Sequence, residues 1–447
     1  MSKHEQWSSK LGFILAAAGS AIGLGAIWKF PYMAGTNGGG IFLVFFLLMT
    51  IFIGGPILLA EFIIGRNSQK DAVQSYKHLA PKSAWPLLGY GGVIASFLIL
   101  SFYSVVGGWI LSYLVRSLTG GLSGLSQPEY GATFEKIISN PVEAVAVQLL
   151  FLLLTILVVQ GGVQQGIEKA SKYMMPALFI LFIILVIRSL TLNGAMAGVE
   201  FLLKPDWSAV TGQTVLLALG QSFFALSVGL SVMVTYASYL PKGESLAKSA
   251  FSVVGLNILI SLLAGLVIFP AVFAFGLEPE AGPGLVFVVL PAVFEELAFG
   301  GIFLTIFLVL LLFATLTSAF SILEIIVAVL SKGNKDKRKK YAWISGLLVF
   351  AAGIPNALSF GILSDVTFFG KTFFDLADFL TSNIALPLGA LFIAIFVGYA
   401  LPRKMVRQEL EQGSGEQPLL FRMWYFSIRY IVPVGIGFVF LQSIGIL

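Results

Sequence analysis

The chain contains no cysteine and only two histidines, His4 and His78. That excludes disulfides, thiol nucleophiles and thiolate metal sites, and it leaves too little imidazole for a histidine metal cluster. Charge is also scarce: Asp, Glu, Lys and Arg make up 11% of the 447 residues, against about 25% in a soluble domain. No Ser-His-Asp set is apparent. The glycine-rich "TNGGG" at 36–40 lacks the lysine of a phosphate-binding loop, so it reads as a turn. The residues therefore give no support for an enzyme. The net charge of +5 is scattered through short connections between apolar runs, which argues against a nucleic-acid partner.

What is abundant is apolar: 57% of the residues are hydrophobic. Runs of about 20 recur, each long enough to cross roughly 30 Å of hydrocarbon. Runs such as "IFLVFFLLMTIFIGG" do not alternate as the strands of a membrane barrel would, so the expectation is an all-α polytopic membrane protein. Eleven spans are expected, at about 11–33, 40–65, 86–117, 142–161, 168–191, 212–239, 247–276, 299–331, 341–363, 373–400 and 424–445. The first run shows no A-x-A cleavage pattern, so it is expected to be retained as a span. Most Lys and Arg fall in alternate connections, including Lys3, Lys10, Arg66, Lys70, Lys77, Lys82, Lys332 and Arg403. By the positive-inside rule this places the N-terminus in the cytoplasm and, after eleven spans, the C-terminus outside a cell membrane. "GNKDKRKK" at 333–340 reads as a basic loop, "EQGSGEQP" at 411–418 as a flexible connector, and 276–298 as a short helical hairpin on the outer face. A single domain over 1–447 is expected.

The first span carries an interruption, "GSAIGLGAIWKFP", with Gly19, Gly23 and Gly25 close together and Lys29 and Pro31 beyond them. The sixth span carries a matching one, "ALSVGLS" at 225–231. An offset of five helices makes the second copy enter from the opposite side, the signature of inverted repeats, here about 11–191 and 212–400 with an extra helix at about 424–445. Unwound carbonyls at mid-membrane can hold a cation, and half-helix N-termini favour a carboxylate. Thr317 and Ser318 of "ATLTSAFS" add hydroxyl oxygens, which suit a hard cation.

The motifs "GSAIGLGAIWKFPYMAGTNGGGIF", "GGPILLAEFIIGR", "KASKYMMP", "GQSFFALSVGLSVMVTYASY" and "LTSAF" together resemble the neurotransmitter:sodium symporter family, in particular its bacterial amino-acid branch. The resemblance implies two inverted five-helix repeats, helices 1–5 and 6–10, with broken helices 1 and 6. It also implies sodium-coupled import of an amino acid by alternating access, with no obligate protein partner in view. The alternative is a non-transporting sensor or a proton-coupled carrier on the same fold. By resemblance, a sodium site (the family's second) comprises the carbonyls of Gly19, Ile22 and Ala314 and the hydroxyls of Thr317 and Ser318. The substrate site comprises Ser20, Ala21, Gly23, Leu24, Gly25, Ile99, Tyr103, Phe224, Ala225, Ser227, Leu230, Ser318 and Ile322. Gly23 stands where monoamine carriers have aspartate, and Leu230 and Ile322 suggest an apolar side-chain pocket.

The gates follow the family unevenly. Lys29 replaces the outer arginine opposite Asp378, Tyr103 and Phe224 supply an aromatic lid, and Trp7 is the inner latch. His4 and Lys332 replace the inner ion pair, which is expected to be missing. Glu61 and Glu324, both within spans, are expected to bind unwound backbone. The family's first sodium site has lost two side-chain oxygens, at Ala26 and Ala225, and keeps Asn257 with the carbonyls of Ala21 and Ala225. Coupling through one sodium is therefore expected. Chloride stays open: Ser261 follows the chloride-dependent pattern beside Gln221 and Asn257, whereas Phe46 and Ala225 depart from it.

Overall fold

A computed structural model describes residues 5–276 and 284–443. Among the described residues nine helices are long and apolar enough to span a membrane, and the bent pair Lys10–Ala21 and Gly25–Thr36 makes a tenth. The interrupted pair Gly212–Leu226 and Val232–Ser238 is the remaining one of the eleven anticipated. We number them helices 1 to 11. Helix 2 is Gly40–Ser68, helix 3 Pro86–Leu118, helix 4 Pro141–Val159, helix 5 Val163–Leu190 and helix 7 Leu246–Ala274. Helix 8 is Gly300–Ser331, helix 9 Lys335–Leu358, helix 10 Phe373–Ala400 and helix 11 Pro418–Gln442.

Where a helix starts follows from local chemistry. Ser9 caps helix 1 by accepting the Gly12 N–H, Asn140 caps helix 4, and Pro86 and Pro141 fill first-turn positions that need no donor. Which helices sit at the centre follows from burial. The best apolar window of helix 3 is 78% buried and that of helix 8 is 61% buried, against 28% for helix 5. Helices 3 and 8 pack on each other and on helix 1 or its neighbours, so the broken helix is enclosed by protein. Unwound backbone is tolerated at membrane depth when it is buried in protein in this way or lines a water-filled cavity.

Two connections differ from expectation. Helix 9 begins at Lys335, capped by Asn334 accepting the Asp336 N–H. The basic run at 333–340 is thus mostly helical, and its Arg338 is buried. The stretch at 411–418 is anchored to the rest of the protein. Before it, Arg66 of helix 2 forms a buried ion pair with Glu409, 2.5 Å apart, and within it Ser414 hydrogen-bonds Ser245. The hairpin expected at 276–298 lies partly outside the described residues. Its described part is helical from Leu285 to Glu295 and packs under an unanticipated helix, Gln127–Ser139, through stacked Phe134 and Phe287 rings.

Candidate functional site

Helix 1 stops at Ala21 because Ile22 leaves helical geometry (φ −88°, ψ 72°), and the chain resumes as a helix at Gly25 after a bend of 52°. None of Gly19, Gly23 and Gly25 has a positive φ; what they supply is space. A Cβ at Gly19 would lie 3.0 Å from Thr317 and 3.1 Å from the Met175 sulfur, one at Gly23 would lie 2.7 Å from the Tyr103 hydroxyl, and one at Gly25 would lie 2.8 Å from the Phe224 ring. Helix 6 breaks differently. Ser227, Gly229 and Ser231 all lie in the left-handed region, which costs a non-glycine residue about 1–2 kcal/mol. Both serines are tied down: Ser227 donates to the Ser20 carbonyl at 3.0 Å, and Ser231 bonds the Tyr76 hydroxyl at 2.8 Å. Glu61 of helix 2 then accepts the N–H groups of Gly229, Met233 and Val234 at 2.7–3.3 Å, capping the second half-helix as the sequence suggests.

Between the breaks lies a small cavity of about 40 Å³, room for a few waters at about 10–15 Å³ each on the same measure. Twelve of the thirteen nominated substrate residues line it: Ser20, Ala21, Gly23, Leu24, Gly25, Ile99, Tyr103, Phe224, Ser227, Leu230, Ser318 and Ile322. Ala225 does not. At the end of the first half of helix 6 it faces away, fully buried in a second apolar cluster with Phe30, Phe42 and Phe46. Leu386 of helix 10 also lines the cavity, and the sequence reading missed it because nothing local marks one leucine of a span as facing inward. The cavity is polarised. The Leu24 N–H points to the Tyr103 hydroxyl at 3.4 Å, Ser20, Ser227 and Ser318 of the lining add hydroxyls, and the remaining lining is glycine, aliphatic or aromatic.

Beside it, oxygens converge from helices 1 and 8. The Thr317 hydroxyl is 3.0 Å from the carbonyls of Gly19 and Ala314, and the Ser318 hydroxyl is 3.2 Å from the Gly19 carbonyl and 3.0 Å from that of Ser20. All are buried. A set made only of oxygens is what a hard cation requires, so these residues fit sodium. At the nominated first site the Asn257 amide nitrogen donates to the carbonyls of Ala21 (3.2 Å) and Ala225 (2.8 Å), and Ala26 contributes no side-chain oxygen. Nearby, the Gln221 amide donates to the Gly25 carbonyl at 2.7 Å, while the buried Ser261 hydroxyl has no hydrogen-bond partner among the described residues.

On the Asp378 side of the cavity, Lys29 and Asp378 form no ion pair. The Lys29 ammonium sits 4.2 Å above the Phe224 ring, and Asp378 accepts from Ser382 at 2.7 Å. A flexible point charge has no fork to reach a carboxylate in a fixed geometry, and the aromatic face beneath it is an alternative partner.

At the opposite end Trp7 is buried. Its indole donates to the Tyr236 carbonyl at 2.8 Å, and its amide to the Tyr239 carbonyl at 3.1 Å. His4 lies outside the described residues. An ion pair that the sequence reading did not anticipate exists at this end, built from residues other than His4 and Lys332. Arg338 of helix 9 contacts Glu5 at 3.3 Å and grips Glu324 with both terminal nitrogens, one at 3.0 Å. Lys332 ends helix 8 in the left-handed conformation instead. Glu324 therefore does not bind unwound backbone. It lies six residues beyond Ser318, away from the breaks, where Arg338 and the Tyr239 hydroxyl (2.7 Å) reach it. A signal for Arg338 existed: Arg338, Ala342, Ser345 and Val349 recur at helical spacing and all are buried. Glu168 adds a further strap by accepting from Ser8 at 2.8 Å and pairing with Lys172 at 2.8 Å.

The sequence pattern of the sodium:neurotransmitter symporter family matches residues 4–127 and 133–446, and the chain belongs to that family. It is 58% identical to the uncharacterized sodium-dependent transporter YhdH of Bacillus subtilis, over 100% of this chain and 99% of that protein. It is 33% identical to a sodium-dependent transporter of Methanocaldococcus jannaschii, over 100% of this chain and 92% of that one. The crystal structure of MhsT in complex with L-phenylalanine superposes with a TM-score of 0.91 at 46% identity, covering 98% of this chain and 99% of that one. The chain is thus a sodium-dependent symporter, not an enzyme, and has the family fold of two inverted five-helix repeats with helices 1 and 6 broken and an eleventh helix added.

Proposed function

We propose that this symporter imports an amino acid with an apolar side chain, coupled to one sodium ion, across the cell membrane. The N-terminus is cytoplasmic, the C-terminus outside, and all 447 residues form a single transport domain. The observation that carries the reading is the polarised cavity. The helix 1 amides and the Tyr103 hydroxyl suit a carboxylate, and Ile99, Leu230, Ile322, Leu386 and Phe224 suit an apolar side chain. L-Phenylalanine, bound by MhsT, is of this class. With so little free volume, entry of any amino acid requires Phe224 to swing aside and helices 1 and 6 to part from helices 3 and 8. Lys29 over Phe224 and the Glu5–Arg338–Glu324 cluster are the contacts that alternate.

Sodium belongs with Gly19, Ile22, Ala314, Thr317 and Ser318, where it would draw the loose ends of helix 1 against helix 8. A single charge moving down 100 mV supplies about 2.3 kcal/mol, enough for a modest concentration gradient. The retained oxygen set disfavours a non-transporting sensor. The test is thermal stabilisation of the purified protein by each of twenty amino acids, with sodium or with potassium. Sodium-dependent stabilisation by apolar amino acids is expected. Stabilisation by none, or equally in both salts, refutes the proposal.

A further inference from the structure

A second, larger cavity lies away from the transport site, between helices 3 and 10. It is a groove of about 500 Å³ whose walls include Trp85, Leu88, Gly91, Leu388 and Phe392, with Gly229 of the unwound segment as its floor. Among the described residues of the lining, the Trp85 indole is the only hydrogen-bonding side chain. Leu87 and Ile94 beside it are 69% and 60% exposed, so the groove opens toward lipid. The backbone of the break forms its floor because three glycines permit close approach. A Cβ at Gly92 would collide with the Leu230 carbonyl, and one at Gly389 with that of Gly229.

We propose that this groove is a binding site for one acyl chain of an anionic phospholipid. Three features point to that occupant. The lining begins at Ala84 and Trp85, just before helix 3, and continues along it from Leu87 to Ala95, a helical stretch of about 12 Å at 1.5 Å per residue, most of the depth of one leaflet of a roughly 30 Å hydrocarbon core. At its polar end the half-buried Trp85 indole donates to no atom among the described residues, as suits a tryptophan at headgroup level. In the connection before helix 3, Lys77 and Lys82 are exposed and form no ion pair among the described residues, and cations placed there attract an anionic headgroup. A chain seated there rests on the hinge of helix 6, one residue from Leu230 in the transport cavity.

Gly91 gives a clean test, because a Cβ there meets nothing within 4 Å. The full chain and its Trp85→Phe variant are reconstituted in phosphatidylcholine vesicles containing a small fraction of brominated phosphatidylglycerol, or the same fraction of brominated phosphatidylcholine. Trp85 fluorescence is the difference between the two proteins. Brominated phosphatidylglycerol should quench it more strongly than brominated phosphatidylcholine, and Gly91→Phe, which fills the groove, should abolish that excess while Gly91→Ala preserves it. Equal quenching by the two lipids overturns the proposal, as does an excess that survives in Gly91→Phe. Should Gly91→Phe not fold, Lys77→Gln with Lys82→Gln replaces it: loss of the excess supports the site and retention overturns it.

Discussion

Replacing Thr317 by valine removes one hydroxyl while keeping the shape of the side chain. In the structure that hydroxyl touches the carbonyls of Gly19, Phe313 and Ala314, each at 3.0 Å. Gly19 keeps a second donor, the Ser318 hydroxyl at 3.2 Å, and the other two carbonyls belong to helix 8 itself. No buried group is left without a partner, so the loss of stability should be about 1 kcal/mol, that of an ordinary hydrogen bond. The loss for sodium is larger, because the same oxygen faces a charge. A hydrogen bond or ligand contact to a charged group is worth about 1.5–3 kcal/mol, which at 1.4 kcal/mol per decade weakens sodium about 10- to 100-fold. The assay is a sodium titration of substrate-driven thermal stabilisation and of uptake into proteoliposomes. Thr155→Val is the control, since that buried hydroxyl only back-bonds to the Phe151 carbonyl of its own helix. A Thr317→Val protein with the sodium half-saturation of the parent, or a Thr155→Val protein weakened as much, refutes the site.

Uptake should rise with sodium at a Hill coefficient near one; a value near two means that Asn257 and the Ala21 and Ala225 carbonyls hold a second ion after all. Replacing chloride by gluconate should leave uptake unchanged, because the side-chain amides of Gln221 and Asn257 are already donating to carbonyls; a dependence on chloride would show that those donors turn. Tyr103→Phe should raise the substrate half-saturation about 10- to 100-fold, the worth of a hydrogen bond to a carboxylate, with the sodium response kept; unchanged affinity would detach Tyr103 from the carboxylate. Arg338→Met strands Glu324 without its cation and should lower stability by about 3–5 kcal/mol, with most of it recovered by adding Glu324→Leu. In the cysteine-free chain a reporter at Ala328, which lines the polar cavity beside Arg338, should also react faster with thiol reagents in Arg338→Met. Unchanged labelling would make the cluster structural only.

The amino-acid sequence by itself determined the class and the place of the breaks. Low charge and apolar runs admit few architectures in lipid, and an interruption such as "SAIGLG" or "LSVGLS" is conspicuous within an apolar run. Span limits came within a few residues except that helices 5, 9 and 11 start five or six residues earlier than expected and helix 9 ends five residues sooner; in helix 9 the basic start hid Arg338, the first position of the buried face that continues through Ala342, Ser345 and Val349. Tertiary structure decided which residues face one another. That Ala225 is buried in the cluster of Phe30 and Phe46, that Leu386 reaches the cavity, and that Arg338 serves Glu324 and Glu5 all depend on helix rotation and on contacts between residues more than a dozen positions apart. Local patterns do not encode those rotations. In a membrane helix that is apolar all round, periodicity is too weak to mark the inward face, so the packing of broken helices 1 and 6 against helices 3, 8 and 10 sets it.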